Sequence, residues 1–266
     1  MAETNPDVNR SHELRAPAGL FGVDAEHADR AGPAYPDSLI RAIVQRSPGG
    51  DVLDAGIGTG IAAGQLRDAG CAVTGVEADV RVAEVARGAG FAVDAGRFED
   101  WDPEGQQFDA VVAGQSWHRI DPVAGASAAV RALRPGGLLV VFWNAASPPV
   151  ELAAAFGAVY ERVLPELPFR PWAPQLADAY DEMCIKAAAG MRESGELAEP
   201  EHWLFDSART YTRHEWLDHV RTAGGHGRFP EPVLAELLAG LGEVVDEAGG
   251  TVVMPYRSVA VATHRH

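Results

Sequence analysis

Residues 51–60, DVLDAGIGTG, set one carboxylate, Asp54, at the mouth of a turn in which Gly56, Gly58 and Gly60 alternate. Glycine takes positive φ readily and lets a ligand touch main chain. An apolar strand opening through such a turn into a helix is therefore an anion- or nucleotide-binding arrangement. Two spacings compete for it. The dinucleotide fingerprint G-x-G-x-x-G needs a small residue at position 61, where the chain has Ile61. The spacing D-x-G-x-G-x-G is filled at every position by Asp54, Gly56, Gly58 and Gly60. An acid there accepts a hydrogen bond from a ligand ammonium or orders the loop, and it repels a pyrophosphate. A ligand with positive charge and no phosphate fits. Glu77 closes the next apolar run, VTGVE, 21 residues after Gly56. That is near the roughly 20-residue offset at which an acid grips ribose hydroxyls.

The elements that would hold these groups alternate regularly. Strands over 51–55, 72–77, 91–95, 108–114 and 138–143 are interleaved with helices over 37–46, 60–70, 79–90 and 121–137. Asp37, Asp79 and Asp121 read as helix caps, with Pro122 at a first helical position and Pro135-Gly136-Gly137 as a stop. The pattern predicts an α/β fold: a doubly wound, Rossmann-like, mostly parallel seven-stranded sheet. Residues 148–206 break the rhythm with seven of the eighteen prolines and two helices, near 151–163 and 175–192. That suits a helical cap over the C-terminal edge of the sheet, where open α/β folds bind ligands. The sheet then resumes with a strand at 208–212, helices near 213–222 and 231–247, and a last strand at 251–263. The expected organisation is an N-terminal arm or lid (1–36), a cofactor-binding core (37–147), a substrate cap (148–206) and the rest of the same core domain (207–266).

Composition narrows the ligand. The 266 residues are 47% hydrophobic and 23% charged, as in a soluble globular protein. No apolar run approaches the ~18 residues of a spanning helix. The N-terminus lacks the basic-then-apolar order of a secretory signal. Cys71 and Cys184, far apart, read as small hydrophobes of a reduced, cytoplasmic protein. Acids outnumber bases 38 to 22, and a net charge of −16 opposes approach to a nucleic acid. A small molecule is the partner left by elimination. No metal is required, and monomer and homodimer both stay open.

Taken together, VLDAGIGTG, VTGVEAD, FDAVVAGQSWHRID and LRPGGLLVVFWN resemble the class I S-adenosylmethionine-dependent methyltransferases, from Asp51 to Asn144. Within that class the chain is similar to the bacterial small-molecule branch of trans-aconitate type, through an arm carrying Phe21, Ala25, Pro33, Tyr35 and Pro36 and through the ending GGTVVMPYRSVAVAT. The arm departs from the pattern at Ala28 and Gly32, where a Tyr and an Arg are usual, and His27 or Arg30 could substitute in closing it. The resemblance implies S-adenosyl-L-methionine as cofactor, with S-adenosyl-L-homocysteine as product. It implies Asp54, Gly56, Gly58 and Thr59 around the methionine part and Glu77 on the ribose hydroxyls. Ala78 would lie beside the adenine, the Phe98 main chain and Glu99 would meet it, and Gln115 would face the sulfonium. Arg97 stands where an acid is frequent.

Methyl transfer is an in-line displacement at a carbon the sulfonium already activates, so a general base is needed only for a protonated nucleophile. His118, after the fourth strand, either deprotonates the acceptor or orients it. Tyr35, Trp117, Trp143, Asn144 and Trp172 are the expected acceptor-site residues, the indoles as apolar walls or cation–π partners. A hydroxyl acceptor suits a basic histidine. A carboxylate needs no base, and then Arg119, Arg170 or Arg209 matters more. Two rival readings exist: a serine hydrolase using Ser116 of GQSWH, and a non-catalytic S-adenosylmethionine binder. A nicotinamide oxidoreductase is disfavoured by Ile61. The HEWLDH run is no zinc helix, because His214 and His219 are five apart, about 140° around a helix.

Overall fold

The computed structural model describes residues 34–167, 176–222, 226 and 229–266. In chain order the elements are α1 (Asp37–Arg46), β1 (Asp51–Ala55), α2 (Ile61–Asp68), β2 (Ala72–Glu77), α3 (Val80–Gly88), β3 (Ala92–Ala95) and β4 (Phe108–Gly114). They continue with α4 (Pro122–Ala132), β5 (Leu133–Ala146), α5 (Val150–Val163), α6 (Leu176–Glu193), β6 (Glu201–Thr212), α7 (Arg213–Thr222), α8 (Glu231–Glu247) and β7 (Thr251–His264). Short 3₁₀ turns at Phe98–Asp100 and Trp117–Arg119 follow β3 and β4.

The seven strands form one sheet in the order β3-β2-β1-β4-β5-β7-β6, and β7 runs antiparallel to both its neighbours. This is the doubly wound sheet expected from the sequence. Its central strands are apolar because both faces are covered. On one face Leu138, Val140 and Phe142 of β5 meet Leu39, Ile40 and Ile43 of α1. On the other, Leu139, Val141 and Trp143 meet Ala126, Ala129 and Val130 of α4 and Ala187, Ala188 and Met191 of α6. A third core gathers Phe156 and Tyr160 of α5, Trp216 of α7 and Leu237 and Leu241 of α8 over the far end of β6 and β7.

Local chemistry sets the helix starts. Asp79 accepts from Arg81 N at 2.9 Å, and Asp121 accepts from Val123 N and Ala124 N at 3.0 and 2.9 Å, with Pro122 at the first turn. Three expectations are corrected. Pro36, not Asp37, is the N-cap of α1; Asp37 lies inside the first turn, where its charge still complements the macrodipole. Helix α4 stops at Ala132, five residues early. Leu133 already pairs with Phe108, and the register slips before Ala110 meets Leu138, so Pro135-Gly136-Gly137 form a bulge in β5 and not a helix end. Strand β6 begins at Glu201, seven residues before position 208, because Glu201–Ser207 find partners in Tyr256–Ala262 of β7.

The segment expected as a cap thus supplies α5 to the third core, α6 to a face of the sheet, and the first half of β6. Helix α6 sits close on α4 at Gly190. A Cβ there would fall 2.3 Å from the Pro122 carbonyl oxygen and 2.5 Å from its carbon, backbone that cannot yield like a side chain. Gly190→Ala is expected to lower unfolding stability by about 1–3 kcal/mol through overpacking, read from denaturant midpoints; an unchanged midpoint would mean the two helices are not held this closely.

Candidate functional site

The strand order reverses between β1 and β4, the switch point at which open α/β sheets leave a crevice beyond their C-terminal ends. Loops after β1, β2, β4 and β5 converge there. The glycine turn folds back on β2, with Gly56 N and Ile57 N donating to the Val76 carbonyl at 2.8 and 3.1 Å. Gly56, Gly58 and Gly60 hold φ of +84°, +60° and +99°, a region L side chains avoid. Their missing side chains serve different ends. A Cβ on Gly56 would lie 2.5 Å from Ser116 Cβ, and one on Gly60 2.8 Å from the Phe91 ring. Of the three, only Gly58 has nothing within 4 Å among the described residues. The reading of all three as ligand clearance is therefore corrected: two make room for protein, and Gly58 faces open space.

Asp54 ends β1 just before this turn. It is 1% exposed, and among the described residues neither carboxylate oxygen has a hydrogen-bond partner. Burial, and then the charge of Glu77, push its pKa up to about 7. Glu77, at the end of β2, accepts from Gly58 N through Oε2 and from Asp79 N through Oε1, both at 3.0 Å. It is half-buried, as are Gly58 and Thr59, and Ala78 beside it is exposed. The loop after β3 is more closed. Phe98 is buried against Trp117, with ring centroids 6.2 Å apart. The Glu99 carboxylate binds Arg97 at 2.7 Å and accepts from Asp121 N at 3.2 Å. Arg97, where an acid is frequent, thus holds Glu99 inside a local network.

Beyond β4, Gln115 takes a φ of +56°, rare for a residue with a side chain. Its N–H donates to the Phe142 carbonyl at 2.9 Å, and its Nε2 to the Asn144 carbonyl at 3.3 Å. Ser116 Oγ donates to the Ala55 carbonyl at 2.6 Å, so its hydroxyl ties β4 to β1. His118 is exposed at the surface, yet the atoms packed around its ring partly desolvate it. That enclosure, with Arg119 next to it, depresses its pKa to about 4. Trp143 Nε1 donates to His118 Nδ1 at 3.3 Å, which puts the proton of the neutral ring on Nε2. Trp117 and Trp143 are 2% and 1% exposed within the sheet core. Neither indole is an open wall: Trp117 packs under Gly125, and Trp143 sets the histidine tautomer. Trp172, Arg170, His27, Arg30 and the arm positions before residue 34 lie outside the described residues.

Asn144 is 7% exposed, and its Oδ1 accepts from Ser258 Oγ, its partner across β7. Its carbonyl also accepts from the Tyr180 hydroxyl at 3.3 Å. Tyr35 is buried edge-on against Phe142, with centroids 4.7 Å apart, and its main chain is clasped by Gln65 at 2.9 and 2.7 Å. Its hydroxyl fills the space a Cβ on Gly114 would need. Burial and the neighbouring Asp54 raise the Tyr35 pKa, and burial raises those of Tyr180 and Tyr256, so the three phenols stay protonated. Tyr180, Tyr256 and Ser258 were not foreseen. The period-2 pattern of MPYRSVAV held a signal for Ser258 and Tyr256, but their neighbours depend on the register with β5; one tyrosine on an amphipathic helix gives none for Tyr180. Among the described residues no group of three or more His, Cys, Asp or Glu could hold a metal, and no helix is long and apolar enough to cross a membrane.

Residues 53–141, from β1 into β5, match the family of methyltransferase domains. Uncharacterized methyltransferases of Mycobacterium bovis and Mycobacterium tuberculosis are each 34% identical to the chain over 130 residues, covering 47% of it and 51% of theirs. The chain spans about half the length of the curated relatives it matches. Among solved structures, a type II methyltransferase from Anaeromyxobacter dehalogenans superposes with a TM-score of 0.61 at 18% identity, over 86% of this chain and 96% of that one. A protein from echinomycin biosynthesis, where a disulfide bond is converted into a thioacetal group, gives 0.51 at 20% identity, over 88% and 84%. At these identities the likeness is one of fold.

The three glycines make a separable pair of expectations. Gly56→Ala combines backbone strain with overlap on Ser116 and should cost roughly 2–5 kcal/mol of stability. Gly58→Ala meets open space and should cost only about 1 kcal/mol for the left-handed backbone. Equal losses in chemical denaturation would contradict the packing roles given to the two positions.

Proposed function

We propose that this chain, a member of the class I S-adenosylmethionine-dependent methyltransferases, transfers a methyl group from S-adenosyl-L-methionine to an oxygen of a small acceptor that arrives already deprotonated. The observation that carries the cofactor reading is Asp54: a carboxylate buried without a partner is expensive unless a cation comes to meet it. The donor set fits. Asp54 would take the methionine ammonium, and Gly58 with Thr59 would border the chain that leads from it. Each Glu77 oxygen, already accepting one N–H, keeps a lone pair for a ribose hydroxyl. Exposed Ala78 would flank the adenine. When bound, the cofactor supplies a sulfonium-activated methyl carbon.

Among the described residues the acceptor side is a set of donors without a base. His118, neutral at pH 7 and with Nδ1 occupied, presents Nε2–H as a donor and is too weak a base to deprotonate a hydroxyl. Tyr35 and Tyr180 keep their protons. A carboxylate needs no base, so of the two oxygen nucleophiles it is the better match. Asn144, fixed through Ser258, and His118 would orient it, and Arg119 beside His118 would balance its charge. The hydrolase reading falls away, because Ser116 gives its hydroxyl proton to the Ala55 carbonyl and His118 Nδ1 is taken by Trp143.

Calorimetric titration with S-adenosyl-L-homocysteine should show micromolar binding to the wild type, weakened tenfold or more by Glu77→Ala, about 1.4 kcal/mol. No binding to the wild type would remove the cofactor from this site. On a panel of carboxylic acids assayed by methyl-label transfer, His118→Gln, which keeps an N–H donor near the Nε2 position, should stay within a few-fold of wild-type kcat/KM, while His118→Phe loses roughly tenfold or more. With the cofactor saturating at every pH, the wild-type profile should show no histidine limb near pH 6.5. Such a limb, with equal losses in both variants, would return His118 to the role of base.

A further inference from the structure

Two carboxylates, Asp54 and Glu77, stand at the ends of adjacent strands, where Asp54 pairs in register with Gly75 and Ala55 with Val76. Their surroundings are unequal. Glu77 is half-exposed and holds two backbone N–H donors. Asp54 is enclosed and holds none. Among the described residues, the other groups that face it cannot neutralise it. Tyr35, from the segment ahead of α1, is a buried phenol whose own proton is held more tightly because Asp54 is near. Tyr180 of α6 is near enough to Tyr35 to raise its pKa further. Strand β4 offers Val112 beside Asp54, and the loop beyond it the neutral Gln115 and Ser116; His118 is uncharged above about pH 4. Strand β1 itself contributes only apolar side chains around Asp54. Burial penalises the charged form of Asp54, and the nearby charge of Glu77 adds to that penalty, so Asp54 is the group that holds a proton.

We infer that the empty site stores a proton on Asp54 and releases it to solvent when the ammonium of the cofactor's methionine part arrives. This rests on the cofactor reading above. In the step, the O–H bond of the Asp54 carboxyl breaks and its proton passes to a buffer base. The carboxylate so formed accepts an N–H hydrogen bond from the ammonium, and nothing is oxidised or reduced. Affinity is then proportional to the ionised fraction of Asp54 in the empty protein. The sign follows: below its pKa of about 7 affinity falls with each step down in pH, and above it affinity levels off.

The test is calorimetry with S-adenosyl-L-homocysteine at pH 6 and pH 8, each in phosphate and in imidazole, whose ionisation enthalpies differ. Binding should be about tenfold weaker at pH 6, with a buffer-dependent heat at pH 6 that reports close to one proton released. 5′-Deoxy-5′-methylthioadenosine, which lacks the ammonium, should bind alike at both pH values and release none. Asp54→Asn should abolish the pH slope for S-adenosyl-L-homocysteine. If that variant fails to fold, the contrast between the two wild-type ligands still decides. Equal S-adenosyl-L-homocysteine affinity at both pH values, with no buffer dependence, overturns the proton release and leaves the cofactor reading standing. Absence of S-adenosyl-L-homocysteine binding at either pH overturns both.

Discussion

Asp54 is buried where a carboxylate has no business unless something positive is due. The shift from 3.8 to about 7 corresponds to a penalty on its charged form on the order of 4 kcal/mol. The rest of the core works around that position. Strand β1 is central because it is flanked by parallel β2 and β4, which bury both its faces and leave its C-terminal end as the natural mouth of a crevice. The glycine turn must then double back at once, and it does so by donating Gly56 N and Ile57 N to β2. One consequence is that Gly58 N reaches Glu77 Oε2 at 3.0 Å, so the acid expected at the ribose is also the acceptor that orders the turn. The two carboxylates are thus linked through Gly56 and Gly58 of the turn and one strand pairing, and a change at either alters the other's surroundings.

Most of this half of the molecule was legible in the sequence, because its signals are local. A buried parallel strand reads as an apolar run, a cap as Asp with Pro behind it, and a positive φ as glycine. The misreadings have a common cause, which is tertiary pairing overriding a local signal. Pro135-Gly136-Gly137 looks like a helix stop, yet Leu133 is already drawn into the sheet by Phe108. Strand β6 starts at Glu201 because β7 is long enough to pair with it, and nothing in residues 201–207 announces that partner. The glycine turn is the subtler case. Gly56 and Gly60 yield to Ser116 and Phe91, residues 60 and 31 positions away, so their purpose could be read only once the fold had brought those side chains near.

The acceptor side was far less legible, since its geometry comes from elements remote in sequence. Asn144 and His118 could be picked out by type and by position after a strand. What they do depends on Ser258, Tyr180 and Trp143, contributed by β7, α6 and β5. Trp143 shows the difference. Its composition suggested a wall for an apolar ligand, whereas its indole N–H determines which histidine nitrogen bears the proton. A residue counted on for surface thereby acts through a hydrogen bond, and Trp117, its neighbour in the same core, makes no side-chain hydrogen bond at all.

The two ends of the site place opposite demands on electrostatics, and the fold meets them in opposite ways. A cofactor with an ammonium at one end and a sulfonium near its middle is drawn by negative charge and repelled by positive charge. At the proposed ammonium end the protein provides an acid without a partner among the described residues. At the proposed reaction end a protonated histidine would oppose a sulfonium before any chemistry began. Enclosure of the His118 ring, helped by Arg119, keeps that histidine neutral throughout the physiological range while Trp143 turns its one proton into a directed donor. A depressed histidine and an elevated aspartate are usually read as two unrelated perturbations. On the proposed cofactor reading both answer one requirement, that a cationic ligand should meet an acid able to ionise where its ammonium rests and no charge where its methyl group leaves.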